Sequence, residues 1–187
     1  MDAASIVTAL KALAPDAGCQ VEDVPDRPTV VVPRGHLLAI ARALHDGLRY
    51  DVLTDVTAVD RWPAEPRFEV VYHLVATSVP QPLRLRLIVR LGGENPSVRS
   101  LNVVWASADW LEREVWDLFG IVFEEHGDLR RLMMPEDWEG HPLRKDYPVQ
   151  IQMTPKVYTP LQLTEQEFEA NIAADRDARG GSVRPGR

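Results

Sequence analysis

Cysteine is nearly absent: Cys19 is the single one in 187 residues. That excludes an internal disulfide and leaves no set of thiolates for an iron–sulfur cluster or a structural zinc. A reducing compartment is the simpler reading. No run of about 18 apolar residues occurs, so no membrane-spanning helix is expected. The opening MDAASIVTALKALAPDAG lacks the basic start and long apolar core of an export signal. Glycine-rich phosphate loops are missing as well: there is no GxGxxG, P-loop or GxSxG, and Gly92-Gly93 reads as a turn. Positive charge is in deficit. With a net charge of −7 and a pI near 5.2, the chain offers no basic face to a nucleic-acid duplex, whose binding rests on clustered Lys and Arg.

What remains is 45% hydrophobic, enough in 21.0 kDa for one domain plus an appendage. Ile6, Val7, Leu10 and Leu13 share one helical face, and Pro15 with Gly18 ends that run. Val21 to Val24 and Thr29 to Val32 form a short predicted hairpin around Pro25–Pro28. A second helix after Pro33 carries Leu37, Leu38, Ile40, Ala41 and Leu44 and stops at Gly47. Three strands follow, over 50–59, 68–77 and 83–91. The last alternates Leu83, Leu85, Leu87, Val89 and Leu91 with Arg84, Arg86 and Arg90, so one face is wet or meets an acidic partner. The expected fold is therefore α+β: a two-layer domain over 1–148 with a mainly antiparallel sheet and helices packed on one face. Gly92 to Ser97 reads as a loop, and Ser100 as the cap of a short helix through Val104 and Trp105. Residues 149–187 read as an extended arm, a short helix opened by a Thr164–Glu167 capping box, and a disordered end.

The densest stretch is Trp110 to Pro148. Asp109 and Glu112 suggest a capping box, Leu111, Val115, Leu118 and Phe119 a helical stripe, and Gly120 a C-terminal stop. Gly127, Pro135, Gly140, Pro142 and Pro148 then forbid another long element, yet Leu129, Leu132, Met133, Met134, Trp138 and Leu143 supply anchors. Such a segment is expected to be pinned to something. His126 and His141 stand among carboxylates, but there is no HExxH, no i, i+4 His pair and no Cys pair, which disfavours a metal site. Glu112, Glu114 and Asp117 read as surface carboxylates, with Arg113 and Asp117 as an i, i+4 pair. Arg130, Arg131, Arg144 and Lys145 alternate with Leu132, Trp138, Leu143 and Tyr147, a composition enriched at protein–protein interfaces.

EREVWDLFGIVFEEHGDLRRL followed by PEDWEGHPLRKDYP resembles the signature of the 30 kDa subunit family of the bacterial proton-pumping NADH:quinone oxidoreductase, complex I. The chain departs from the pattern at Gly127, where the family usually has His-Pro. The resemblance implies a non-catalytic, cofactor-free subunit of the peripheral arm. It implies docking against the quinone-binding 49 kDa subunit and the iron–sulfur subunits, on the cytoplasmic side of the membrane. FMN, iron–sulfur clusters and quinone are then carried by partners. Docking is expected through Arg130, Arg131, Trp138, His141, Leu143, Arg144, Lys145, Asp146 and Tyr147, with Arg131 and Arg144 dispensable for stability of the free chain. Two alternatives stand: the equivalent subunit of an ion-translocating hydrogenase or other quinone- or methanophenazine-linked complex, and a metal-dependent hydrolase using His126 and His141.

Overall fold

In the computed structural model the described residues are 3–13, 15, 18–22, 28–78, 83–148 and 164–180. The expected hairpin turn at 25–27, the extended arm over 149–163 and the terminal 181–187 lie outside them. The chain divides into two compact units, Met1–Pro148 and Val149–Arg187.

Helix α1 (Ala3–Leu13) turns Ile6, Val7 and Leu10 into the core. Strands β1 (Gln20–Glu22) and β2 (Thr29–Val31) pair antiparallel. A 3-10 turn at Arg34–His36 leads into α2 (Leu37–Arg42), where Leu37, Ile40 and Ala41 are buried. Its last turn, Ala43–Gly47, widens so that Leu48 N–H donates to Ala43 O at 3.2 Å. The meander follows as expected: β3 (Val52–Asp60), β4 (Phe68–Ala76) and β5 (Leu83–Leu91), each antiparallel to the next.

The sheet order is β1-β2-β5-β4-β3, with β2 parallel to β5. The sequence did not announce that single parallel pairing. It follows from α2, a crossover that returns the chain to the end of the sheet where β2 began, so that β3 and β5 both run in the direction of β2. The helices and one sheet face share a core built on Leu53, Val56, Phe68, Val70, Tyr72, Leu87 and Val89. Val71 and Ile88 are buried outside that cluster, on the opposite face. Fold class and layering therefore agree with the sequence reading.

Two short strands were not anticipated. β6 (Ser97–Arg99) occupies part of the expected loop and pairs in parallel with β7 (Val122–Glu124), the strand after α3 (Ala108–Phe119). Ser100 caps no helix: its Oγ accepts Asn102 N–H at 3.2 Å in a local turn. The expected Asp109–Glu112 capping box is also absent. Ser107 holds the cap position, and its hydroxyl donates instead to Leu53 O on β3 at 2.9 Å. In the second unit α4 (Glu165–Gly180) does open with the expected box, Glu167 N–H to Thr164 Oγ1 at 3.3 Å and Thr164 N–H to Glu167 Oε2 at 2.9 Å. Phe168 and Ile172 on it are exposed. Among the described residues no helix is long and apolar enough to cross a membrane.

Glu112 is a core residue, contrary to the expected surface carboxylate. It is fully buried, taking Leu101 N–H on Oε1 at 2.7 Å and Ser100 Oγ–H on Oε2 at 2.6 Å. Burial pushes its carboxyl up to about 7, against the two donors that favour the ion. Among the described residues the buried Tyr72 hydroxyl has no hydrogen-bond partner. Between about pH 4.5 and 7 the folded chain holds a proton on Glu112 that the unfolded chain has released, so stability falls as pH rises through that window. The fall is roughly 3 kcal/mol at 1.36 kcal/mol per unit. In Glu112→Gln, whose amide oxygen keeps the Leu101 bond and whose NH2 donates to Ser100 Oγ in place of the reverse bond, this slope disappears. Urea midpoints of both proteins at pH 5 and pH 8 test it, and parallel slopes refute it.

Candidate functional site

The last turn of any α-helix leaves carbonyls without intrahelical donors. At the end of α3 all of them are taken up, most by the irregular segment that comes after β7. Gly120 N–H returns to Trp116 O at 2.8 Å, and Gly120 adopts φ +70°, the stop that the sequence predicts. Asp117 O receives both Arg131 Nη1 at 3.0 Å and His141 Nδ1 at 2.9 Å. Leu143 N–H donates to Leu118 O at 3.1 Å, Arg144 Nε to Phe119 O at 2.5 Å and Arg144 Nη2 to Gly120 O at 3.2 Å. The two guanidinium groups also sit at the negative end of the helix dipole. Glycine at 120 is required twice over: beyond its φ, a Cβ there falls within 3.0 Å of the His141 ring and of Arg144 Nη2.

Asp117 pins the other side of the segment. It is fully buried, its Oδ2 accepts the N–H groups of Leu132 (2.9 Å), Met133 (2.7 Å) and Met134 (2.9 Å), and its Oδ1 pairs with Arg131 at 2.7 Å. Burial works to raise this carboxyl. The three amides and the guanidinium outweigh it and hold the group below the usual range. Arg131 Nη2 donates to Trp138 O (2.8 Å) and Gly140 O (2.9 Å), and its guanidinium lies over the Trp116 ring at 5.6 Å. One arginine thus joins the helix end, a buried carboxylate and the 138–140 turn.

A second anchor reaches the sheet. Arg67, at the start of β4, grips Asp60 with Nε (3.0 Å) and Nη2 (2.8 Å) and Asp146 with Nη1 (3.1 Å) and Nη2 (2.7 Å). Lys145 N–H and Trp62 N–H also donate to Asp60, at 2.8 and 2.9 Å. Burial opposes ionisation of Asp60, yet Arg67 and the two amides bring its carboxyl down to about 2.

Arg131, His141, Arg144 and Asp146 are therefore engaged inside the chain, and the expectation that Arg131 and Arg144 leave the free chain's stability untouched is corrected. Tyr147 is tied by its hydroxyl to Glu139 O at 3.1 Å. Trp138 is half-buried, and its indole N–H has no acceptor. Arg130, Leu143 and Lys145 carry exposed side chains, as does Met133, which the interface pattern left out. The Arg113–Asp117 surface pair does not form. Arg113 is buried, packs over Trp110 at 5.0 Å and points at Arg130 O and Arg131 O, 3.5 Å each. Glu114 is exposed as expected. Sequence reasoning missed Asp60 and Arg67 altogether, because nothing local links β4 to a residue 79 positions on.

His126 and His141 do not converge. His126 bonds Asp109 O through Nε2 at 3.0 Å and takes Asp128 N–H on Nδ1 at 3.1 Å. Burial, with Arg144 and Arg131 nearby, holds His141 below its ordinary range against the Asp117 carbonyl. Among the described residues no three His, Cys, Asp or Glu are grouped as metal ligands. What the segment offers is a firmly held irregular surface.

The model of the family "Respiratory-chain NADH dehydrogenase, 30 Kd subunit" matches residues 30–152, which include the whole segment. The C subunit of NADH-quinone oxidoreductase from Citrifermentans bemidjiense is 50% identical over 122 residues, 65% of this chain and 74% of that protein. Its counterpart in Moorella thermoacetica is 40% identical over 148 residues, 79% of this chain and 97% of that protein. A trypsin-resistant fragment (1–134) of Nqo5 superposes with a TM-score of 0.55 at 34% identity, over 66% of this chain and 98% of that one. A chain of a membrane-bound sulfane sulfur reductase, an archaeal respiratory membrane complex, superposes with a TM-score of 0.67 at 25% identity, over 87% and 95%. The chain belongs to the 30 kDa subunit family of respiratory-chain NADH dehydrogenase.

Arg131→Ala leaves Asp117 buried with its counter-charge gone and two turn carbonyls without donors, and is expected to destabilise the isolated chain by about 3–5 kcal/mol. Gly120→Ala adds at least roughly 1–2 kcal/mol of left-handed backbone strain before any clash. Chemical denaturation of the free chain measures both. An Arg131→Ala variant as stable as the parent refutes the pinning.

Proposed function

We propose that the chain is a non-catalytic, cofactor-free subunit of a proton-translocating NADH:quinone oxidoreductase. It docks in the peripheral arm against the quinone-binding 49 kDa subunit, on the cytoplasmic side of the membrane. Identity of 40–50% to the C subunits of NADH-quinone oxidoreductases carries this reading, and the family match over 30–152 includes the whole pinned segment. One cysteine and no glycine-rich phosphate loop leave the chain without the usual means of holding an iron–sulfur cluster, flavin or nicotinamide. Its contribution to electron transfer is positional. A second reading, the equivalent subunit of a related respiratory membrane complex, draws on the likeness to the sulfane sulfur reductase chain. The identities favour the first.

The internal bonds change which residues should touch the neighbour. Arg131, His141, Arg144 and Asp146 shape the segment, while Leu143 and Lys145 reach outward, with Met133 63% exposed among them and Arg130 exposed but paired with Asp128 at 2.9 Å. Leu143→Asp and Arg130→Glu should leave the stability of the free chain within about 1 kcal/mol of the parent, the scale of an exposed position and of the exposed Arg130–Asp128 pair. They should also reduce the fraction of the chain recovered in the complex by tenfold or more, about 1.4 kcal/mol. Native electrophoresis with quantitation of this subunit reads the loss. Normal recovery of both variants sinks the docking assignment, and co-purification with a hydrogenase or a sulfur reductase selects the second reading.

Residues 149–187 enter the same proposal as an arm ordered along a partner. Hydrogen exchange of this stretch should slow markedly between free chain and complex, since ordering is offset only by contacts made there. Equal, strong protection in both states refutes it.

A further inference from the structure

The sheet face turned away from the core is charged unevenly. Its cross-strand rows run Val52, Val75, Arg84 and then Asp55, His73, Arg86, Thr29. Toward the other end of β5, Arg90 is neutralised by Glu69 at 3.0 Å and Glu22 at 2.9 Å, and Glu69 also holds Arg61 at 2.7 Å. Arg84 is exposed and Arg86 half-buried, and among the described residues neither guanidinium has a hydrogen-bond or ion-pair partner. Among the described residues, every other arginine that is buried or half-buried has an acceptor. Arg67 has Asp60 and Asp146, Arg99 has Glu125, Arg113 faces Asp128 and two carbonyls, Arg131 has Asp117, and Arg144 has the end of α3. A guanidinium drawn out of water without a carboxylate is costly, and Arg84, two positions along the same face, adds like-charge repulsion. Beside Arg84 lies a hollow of about 380 Å³, bordered also by Thr54, Asp55, His73, Val75 and the Leu74–Leu85 pair.

We infer that this end of the outer sheet face is a second docking surface, receiving an acidic segment of a neighbouring subunit with a carboxylate between Arg84 and Arg86. Val52, 37% exposed, and Val75 meet its aliphatic groups. Asp55, across His73 from Arg86, repels a second carboxylate on the β3 side and so fixes the register of the incoming segment. The Asp117-anchored segment packs on α3, on the helix side of the sheet, so this surface goes beyond the docking proposed above and can fail independently of it.

The test places a photo-crosslinking benzoylphenylalanine at Val52 in the complex as purified from membranes. A cross-linked peptide from another subunit, carrying Asp or Glu beside the linked residue, is expected. Its yield should fall about tenfold in the Arg84→Glu/Arg86→Glu variant, the scale of a lost interfacial charge pair. The Arg84→Lys/Arg86→Lys variant should retain the yield. Should the double reversal not fold, Arg84→Glu alone, at an exposed position, should still lower the yield several-fold. Cross-links confined to this chain, cross-links to a second copy, or a yield indifferent to charge reversal overturn the inference. Leu143→Asp is measured alongside: loss of subunit recovery there with an unaltered Val52 cross-link in the residual complex separates the two surfaces.

Discussion

The carbonyls at the end of one helix govern the shape of the part of this molecule that has no regular structure. Helix α3 stops at Gly120, and the backbone oxygens from Asp117 to Gly120 need donors. The chain supplies them from Arg131, His141, Leu143 and Arg144, all in a segment too rich in Pro and Gly for a helix or a sheet ladder. The segment's own amides at 132–134 meanwhile take the Asp117 side chain as a common acceptor. Each side satisfies the other, and removing either leaves buried polar groups unmatched.

Carboxylates are used in opposite ways on two faces of the same helix. Asp117 has four donors on its two oxygens and stays ionised despite complete burial. Glu112 has two, from Ser100 and Leu101, and burial wins, so its proton is held up to about pH 7. The difference is the number of donors and the presence of a guanidinium, the terms that decide whether a buried charge is tolerated. Asp60 follows the Asp117 pattern, with Arg67 as its cation and Asp146 as the far end of the bridge.

For docking of the kind proposed, this arrangement has a thermodynamic consequence. A loop that orders only on contact loses conformational entropy at assembly, whereas one already held by internal bonds presents its exposed groups in place. Two of the segment's guanidinium groups, Arg131 and Arg144, work inward, and the outward positions are left to Arg130, Met133, Leu143 and Lys145. The interface composition noted in the sequence therefore mixes groups that build the surface with groups that face outward from it.

Local pattern determined the α-β-β-α opening, the three-strand meander with its inward leucines on β5, the stop at Gly120 and the Thr164–Glu167 box, because each depends on residues within a few positions of one another. Tertiary structure alone decided the β2–β5 parallel pairing, the β6–β7 ladder, the burial of Glu112 and Asp117, and the reach of Arg67 to Asp146. Period and composition mark Asp117 as one more polar residue on an amphipathic helix. Only when residues 131–134 are folded back against it does it become an acceptor for three amides and a guanidinium, since a hydrogen bond between distant positions leaves no trace in the spacing of either.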